Sequence, residues 1–340
     1  MGALPPIERF ESSSGVRIYR IPVQAFEPLL AYCYVLLGAG PPTLVDTGSG
    51  FGDSNAHLLA GIQALRDDFG EPLAVTDIKR ILITHGHIDH FGGAAFMIAQ
   101  SGGAAVGIHE LDRRILVNYE ERVVVATRDV SIYLERAGVS ERLRDGLIEM
   151  YAFGKQHFSS VPVSINLDEH SVLDGIEFIH TPGHCPGQVC IRLGDVLLSA
   201  DHILSRTTPN QAPESITHYT GLGHYLESLH KVARVDGIRL ALGGHEDPIT
   251  EVYERIIGIH ASHQRKLERI LDIVRAAPQP PTISEISKAM YTNVRGYDVL
   301  LALSEVGAHV EYLYERGRLA VYNLAEVEQA SNPALRYEAV

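Results

Sequence analysis

Short apolar, β-type runs alternate with turns through the first part of the chain. Residues 16 to 47 contain VRIYRIPV, AYCYVLL and PTLVDT, separated by Gly and Pro, and this pattern predicts consecutive strands. Leu58, Leu59, Ile62 and Leu65 recur at helical spacing within residues 53 to 70. The strand-like RILIT at 80 to 84 follows. After HFGG come a helix-like AAFMIAQ and a strand-like AAVGIH.

From about 110 to 158 the pattern becomes helical and charged, with Leu143, Leu147 and Tyr151 four apart. This reads as a helical insertion able to act as a lid. Strands resume in VLDGIEFIHTPG, QVCIRLG, DVLLSADH and IRLALGGH, with Asp174-Gly175 and Gly194-Asp195 as hairpin turns. Strand-rich halves on either side of helices predict an α/β sandwich.

Beyond residue 251 the periodicity is helical again. RKLERILDIVRAA stops before PQPP, and Thr282 with Glu285 forms a capping-box signature for a second helix. A third helix carries Val299, Leu303, Val306, Val310 and Leu313, ends near Gly317, and precedes the strand RLAVYNL. Helix, helix and ribbon read as a small winged-helix-like unit with an irregular tail after Asn323. The expected division is 1–250 for one large domain, with the 110–158 insertion, and 251–340 for the appended one.

Composition narrows the function. The chain has 340 residues, 45% hydrophobic and 21% charged, which suits one large core and a smaller domain. No apolar run reaches the ~20 residues of a membrane helix, and MGALPPIERF lacks the basic start and apolar core of a signal peptide. With three cysteines, Cys33, Cys185 and Cys190, and no disulfide framework, the expected compartment is the cytoplasm. A net charge of −13 disfavours nucleic acid and favours a small-molecule substrate. In the third C-terminal helix Glu305, Glu311 and Glu315 would repel phosphate, so a packing role or self-association into a homo-oligomer is favoured for that unit.

The chemistry concentrates in THGHIDHFGG, residues 84 to 93. His85 and His87 lie two apart just past a strand, so an extended backbone points both imidazoles the same way, toward one ion. Asp89 and His90 follow in the turn, where a changed direction suits a second ion. Two ions need more donors, and His184, Asp201 and His245 each stand where a β-run meets a loop. The expected grouping is His85, His87 and His184 on one metal, Asp89, His90 and His245 on the other, and Asp201 bridging both. Metal-bound hydroxide would then attack the substrate, with Asp89 also accepting a proton from the attacking water. Zinc suits such donors best, with iron and manganese as alternatives.

Together LVDTG, THGHIDHFGG, TPGHCPG, SADHI and GGHED resemble the metallo-β-lactamase superfamily over roughly residues 15 to 250. The resemblance implies an αββα sandwich with the metals at one edge. It places Asp46 beside the metals as a supporting, non-ligating carboxylate. It also places His202, His218, Tyr219 and His224 near the substrate cleft, Tyr219 being the preferred contact. Some true β-lactamases of the superfamily have cysteine where Asp201 stands and others lack that residue, so penicillin-type hydrolysis is disfavoured. Flavodiiron oxidases have glutamate in place of His87. Glyoxalase II has a tyrosine where this chain has Asp247.

The C-terminal portion resembles the lactamase-β-like endoribonucleases, through HASHQRKLERIL around His263 and SEISKAMY to AHVEYLYERGRLAVYN. The expected activity is thus hydrolysis of a small ester, thioester or lactone by a two-metal enzyme. The alternatives are single-strand RNA cleavage and a metal-bearing sensor without turnover. His180 and Cys185 are expected to be structural, the latter a small buried filler.

Overall fold

The computed structural model describes residues 4–155, 157–169 and 171–340. The first three residues of MGALPPIERF, Gln156 of the helical insertion and His170 lie outside the described residues. The chain divides into two compact units. One holds Met1–Tyr119, Ser159–Pro209 and Ser228–Ile256, and the other holds Glu120–Phe158, Asn210–Glu227 and Ile257–Val340.

The first unit is built on two sheets. One contains β1 (Glu8–Glu11), β2 (Arg17–Gln24), β3 (Leu30–Leu37), β4 (Thr43–Val45), β5 (Arg80–Leu82), β6 (Ala105–Ile108) and β7 (Ile165–Asn166), in that spatial order. Pairing is antiparallel from β1 to β4 and parallel from β4 to β7. The other contains β8 (Val172–Leu173), β9 (Ile176–His180), β10 (Val189–Leu193), β11 (Val196–Ala200) and β12 (Leu240–Gly243), arranged β12-β11-β10-β9-β8. Tight hairpins join β8 to β9 at Asp174-Gly175 and β10 to β11 at Gly194-Asp195. Both residues of the first turn have positive φ, as a two-residue hairpin turn requires.

One apolar seam binds the sheets. Ile18, Tyr34, Leu36, Val45 and Leu82 from the first sheet meet Phe178, Val189, Ile191, Leu198 and Leu242 from the second, all at most 2% exposed. Each such side chain contributes about 1.5–3 kcal/mol when taken from water. Helix α1 (Ser54–Asp67) packs on β2 and buries Leu58, Ile62 and Leu65 at the predicted spacing. Short helices α2 (Ile88–Phe91) and α3 (Ala94–Ser101) follow β5, and α4 (Glu110–Val117) follows β6.

The second unit is mainly helical: α5 (Tyr119–Arg136), α6 (Glu141–Lys155), α8 (Val252–Ala276), α9 (Ile283–Met290), α10 (Asp298–Glu315) and α11 (Leu324–Gln329). Helix α7 (Leu222–Val232) is divided along the chain between the units, and the first turn of α8 belongs to the first. Thr282 and Glu285 form the anticipated capping box of α9, each side chain bonding to the other's backbone N–H. On α10, Leu303, Val306, Val310 and Leu313 are buried.

One expectation for this unit is corrected. The tail after Asn323 is ordered: β13 (Leu319–Val321) pairs antiparallel with β14 (Tyr337–Ala339). Asn323 fastens it, its Nδ2 donating to Ala334 O at 2.9 Å and its Oδ1 accepting from Arg336 N at 2.9 Å. On α10, Glu305 and Glu311 have local partners. Glu305 accepts from Lys266 Nζ at 2.6 Å and from Gln211 N at 2.7 Å, while Glu311 accepts from Glu214 N at 2.6 Å and Ser215 N at 3.1 Å. Among the described residues, no helix is long and apolar enough to cross a membrane.

Candidate metal centre

The residues singled out above lie past the C-terminal ends of strands of the first unit. Asp46 follows β4, His85 follows β5, His184 lies beyond β9, Asp201 follows β11 and His245 follows β12. This is the edge at which parallel strands gather sites, because the chain leaves the sheet there in loops free to turn inward. Asp46, Ala200 and Glu246 have positive φ. Such conformations cost of order 1–3 kcal/mol and persist where the surroundings enforce them.

Asp201 is the hub. Its Oδ2 is 3.4 Å from His245 Nε2, 3.6 Å from His184 Nε2 and 4.0 Å from His85 Nε2, and its Oδ1 is 3.4 Å from His90 Nε2. His85 Nε2 stands 3.1 Å from His87 Nδ1. Asp89 Oδ2 is 3.3 Å from His245 Nε2 and 3.9 Å from His90 Nε2. Donors sharing a tetrahedral ion at ~2.1 Å are ~3.4 Å apart, so most of these separations suit shared cations. His90 Nε2 and Asp201 Oδ1 are buried without a hydrogen-bond partner, as donors reserved for an ion would be. The donor set of imidazoles and carboxylates therefore fits divalent metal.

The outward nitrogens are held. His90 Nδ1–H donates to Asp46 Oδ2 at 2.8 Å, and His245 Nδ1–H donates to the Leu30 carbonyl at 2.6 Å. Thr84 gives its hydroxyl proton to Asp46 Oδ2 at 2.8 Å, so its oxygen receives His85 Nδ1–H at 3.1 Å. Asp46 Oδ1 also accepts from Thr84 N at 2.8 Å. With its proton on Nε2, His87 donates to Cys185 Sγ at 3.4 Å and turns the Nδ1 lone pair inward. In each case the outward ring nitrogen is engaged and the other faces the centre, the arrangement by which neighbours select a ligating tautomer.

The charges are strongly coupled. Burial opposes a charged His90, yet Asp201, Asp46 and Asp89 outweigh it and raise the ring to about 10. His245 is likewise raised, against burial, by Asp201 and Asp89. Asp201 is held well below the ordinary carboxylate range: burial opposes this, and His245 and His90 prevail. Burial and His90 push His85 far down, and burial with His184 lowers His87 to about 3. The pocket thus divides into a side poor in positive charge at His85 and His87 and a side crowded with carboxylates at His90 and His245.

Other singled-out residues lie elsewhere or act differently. His180 has satisfied partners: its ring stacks on His109 at 3.9 Å and its Nε2–H donates to Pro186 O at 2.8 Å. His202 is buried, and burial lowers it to about 3. Tyr219 belongs to the second unit, where it is 49% exposed, has φ 68° and lies 5.9 Å ring to ring from His224. His224 itself faces Glu214 at 3.3 Å. His218 is exposed. Cys185 is buried as anticipated, but the reading of it as mere filler missed its sulfur's place against His87. Its position directly after His184 was the available signal. Nothing local pointed to Thr84 or Asp112, which act through partners far along the chain.

A profile of the metallo-β-lactamase superfamily matches residues 27–271, and the chain belongs to that superfamily. Its members are generally metal-dependent hydrolases. A metallo-β-lactamase family protein from Thermus thermophilus is 28% identical, with a TM-score of 0.74, covering 95% of this chain and 98% of its own. A β-lactamase domain protein from Burkholderia ambifaria shares the fold at 20% identity and TM-score 0.72, covering 98% and 94%. No curated protein matches the chain.

Proposed function

We propose that the protein is a dinuclear metal-dependent hydrolase of a small ester, thioester or lactone. The observation that carries this reading is the convergence of four imidazoles on Asp201, with His87 beside His85 and Asp89 beside His245, and with the outward nitrogens of His85, His87, His90 and His245 engaged. His85, His87 and His184 would hold one ion, Asp89, His90 and His245 the other, and Asp201 both. When bound, two such ions supply an acidified water and polarise the bond under attack. Zinc suits these donors, as do iron and manganese.

The chain's own groups do the remaining work. Asp89 keeps 16% of its side chain exposed, so it can meet a solvent-derived nucleophile and accept its proton. Asp46, through Nδ1 of His90 and the Thr84 hydroxyl, keeps two rings from rotating. Cys185 and Leu30 O do the same for His87 and His245. The net charge of −13 favours a small substrate over a polyanion.

The test begins with elemental analysis of protein purified without added metal. The metal-loaded protein is then offered a panel of acyl esters, thioesters and lactones, with an unstructured RNA alongside. Turnover of a panel member, lost in His87→Ala, is expected. Cutting of RNA alone would replace this reading with that of an endoribonuclease, and metal uptake without turnover of any substrate would remove it.

A further inference from the structure

We propose that Asp112, in the first turn of α4, is a positioning residue that locks together the two loops carrying His85, His87 and His184. The inference rests on the reading of those three residues as ligands of one ion.

The carboxylate of Asp112 is fully buried, and each of its oxygens accepts a backbone N–H. Its Oδ2 accepts the N–H of Gly86 at 2.8 Å, and its Oδ1 accepts the N–H of Gly187 at 3.0 Å. Gly86 is the residue between His85 and His87. Gly187 closes the loop that begins at His184. One rigid, bidentate group thus sets the distance between two ligand-bearing segments about a hundred positions apart in the sequence. Hydrogen bonds to an ionised acceptor are roughly twice as strong as neutral ones, and a buried N–H left without an acceptor is destabilising.

Two glycines allow the approach. A Cβ on Gly86 would lie 2.2 Å from the Ile115 side chain and 3.3 Å from the Asp112 carboxylate. On Gly187 it would lie 2.7 Å from Asp112 N and 2.8 Å from its carboxyl carbon. The start of α4 is itself anchored. His109, its N-cap, accepts from Leu111 N at 3.3 Å and stacks on His180, whose Nε2–H holds Pro186 O at 2.8 Å. The loop from His184 to Gly187 is therefore gripped at two neighbouring points, Pro186 O and Gly187 N. An exposed aspartate in a helix's first turn merely complements the helix dipole. This one reaches past the helix to both loops.

The experiment compares wild type with Asp112→Asn, Asp112→Ala and Gly187→Ala. Asn keeps the volume but presents an NH2 where one backbone N–H needs an acceptor. Gly187→Ala keeps the carboxylate and displaces it. Affinity for Zn2+ is read by chelator competition, the absorption spectrum of the Co2+-loaded protein reports the ligand geometry, and melting in chelator reports the fold. Expected is a ten- to hundredfold weaker affinity for one of two ions in all three variants, with an altered Co2+ spectrum and a second ion bound as in wild type. Variants that fold and bind both ions with wild-type affinity and spectrum would overturn the proposal. So would loss of folding in all three, which would assign the clamp to the fold alone. Wild-type stoichiometry retained in His87→Ala and His184→Ala would instead remove the underlying ligand reading, and the clamp with it.

Discussion

The carboxylate of Asp46 accepts the Nδ1–H of His90 at 2.8 Å while the same oxygen takes the hydroxyl proton of Thr84 at 2.8 Å. One oxygen thereby governs two rings, since Thr84 in turn receives His85 Nδ1–H at 3.1 Å. Asp46→Asn, which presents an NH2 to at least one of these donors, is expected to weaken metal affinity about ten- to hundredfold without preventing folding. Chelator competition measures it. Unchanged affinity in a folded Asn variant would show that Asp46 does not orient these rings.

Cys185 offers a graded test of the same principle. Cys185→Ala removes the partner of His87 Nε2, whereas Cys185→Ser supplies a shorter-reaching oxygen acceptor. The Ala variant is expected to lose more affinity for metal than the Ser variant. Equal retention in both would return Cys185 to the role of filler.

Removal of metal is expected to destabilise the protein, because Asp46, Asp89 and Asp201 crowd around His90 and their mutual repulsion needs a neutralising cation or protons. Chelator-treated protein should melt earlier, and titration with Zn2+ should restore it. Binding to the folded state alone contributes about 2.7 kcal/mol when free metal is a hundredfold above its Kd. Calorimetry showing the same melting temperature with and without Zn2+ would refute the site. In Asp201→Ala, the hub being absent, fewer than two ions per chain should be retained.

The N-terminus of α9 depends on a reciprocal pair. Thr282 Oγ1 accepts from Glu285 N at 3.3 Å and Glu285 Oε2 accepts from Thr282 N at 2.8 Å. Thr282→Ala is expected to cost about 1 kcal/mol in urea unfolding. A loss below a few tenths would mean that packing of Ile283 and Ile286 alone holds this end.

A pH dependence follows from the buried pair His263 and His309. His309 Nδ1–H donates to Glu305 O at 2.6 Å, so its Nε2 accepts from His263 Nδ1–H at 3.0 Å. Burial, then His309 and Lys266, hold His263 at about 2, and burial lowers His309. Both lie below the value of 6.5 expected in the unfolded chain. The unfolded state therefore binds protons that the folded state refuses. Their contribution is complete above pH ~6.5 and declines as pH falls below it, by up to about 1.4 kcal/mol per pH unit for each ring. Urea unfolding between pH 7.5 and 5 should show a shallower pH slope in His263→Gln than in wild type. Identical slopes would mean that His263 is already protonated in the fold.

Much of the first unit was legible in residue order. Short β-type runs between turn residues marked β2, β3, β9 and β11, and the spacing of Leu58, Ile62 and Leu65 marked α1, a period that is a property of the backbone itself. The candidate donors were legible for a related reason: H-x-H-x-D-H is compact, and His184, Asp201 and His245 each close an apolar run. Helix α9 was readable from Thr282 and Glu285, a contact made within one turn.

What stayed hidden is held by partners distant in the chain. Asp112 looks like any acidic residue in a helix's first turn until folding brings Gly86 and Gly187 to its two oxygens. Cys185 looks like a small apolar residue until His87 turns toward it. Glu305 and Glu311 showed in the sequence only as negative charges, and packing points them at Lys266 and at the backbone around Gln211 to Ser215. Asn323 gave no sign of tying down a tail a dozen residues beyond it. Local periodicity specifies which face of an element is buried. Which polar groups meet there depends on how the elements pack, and that is where this protein's candidate centre acquires its orientation.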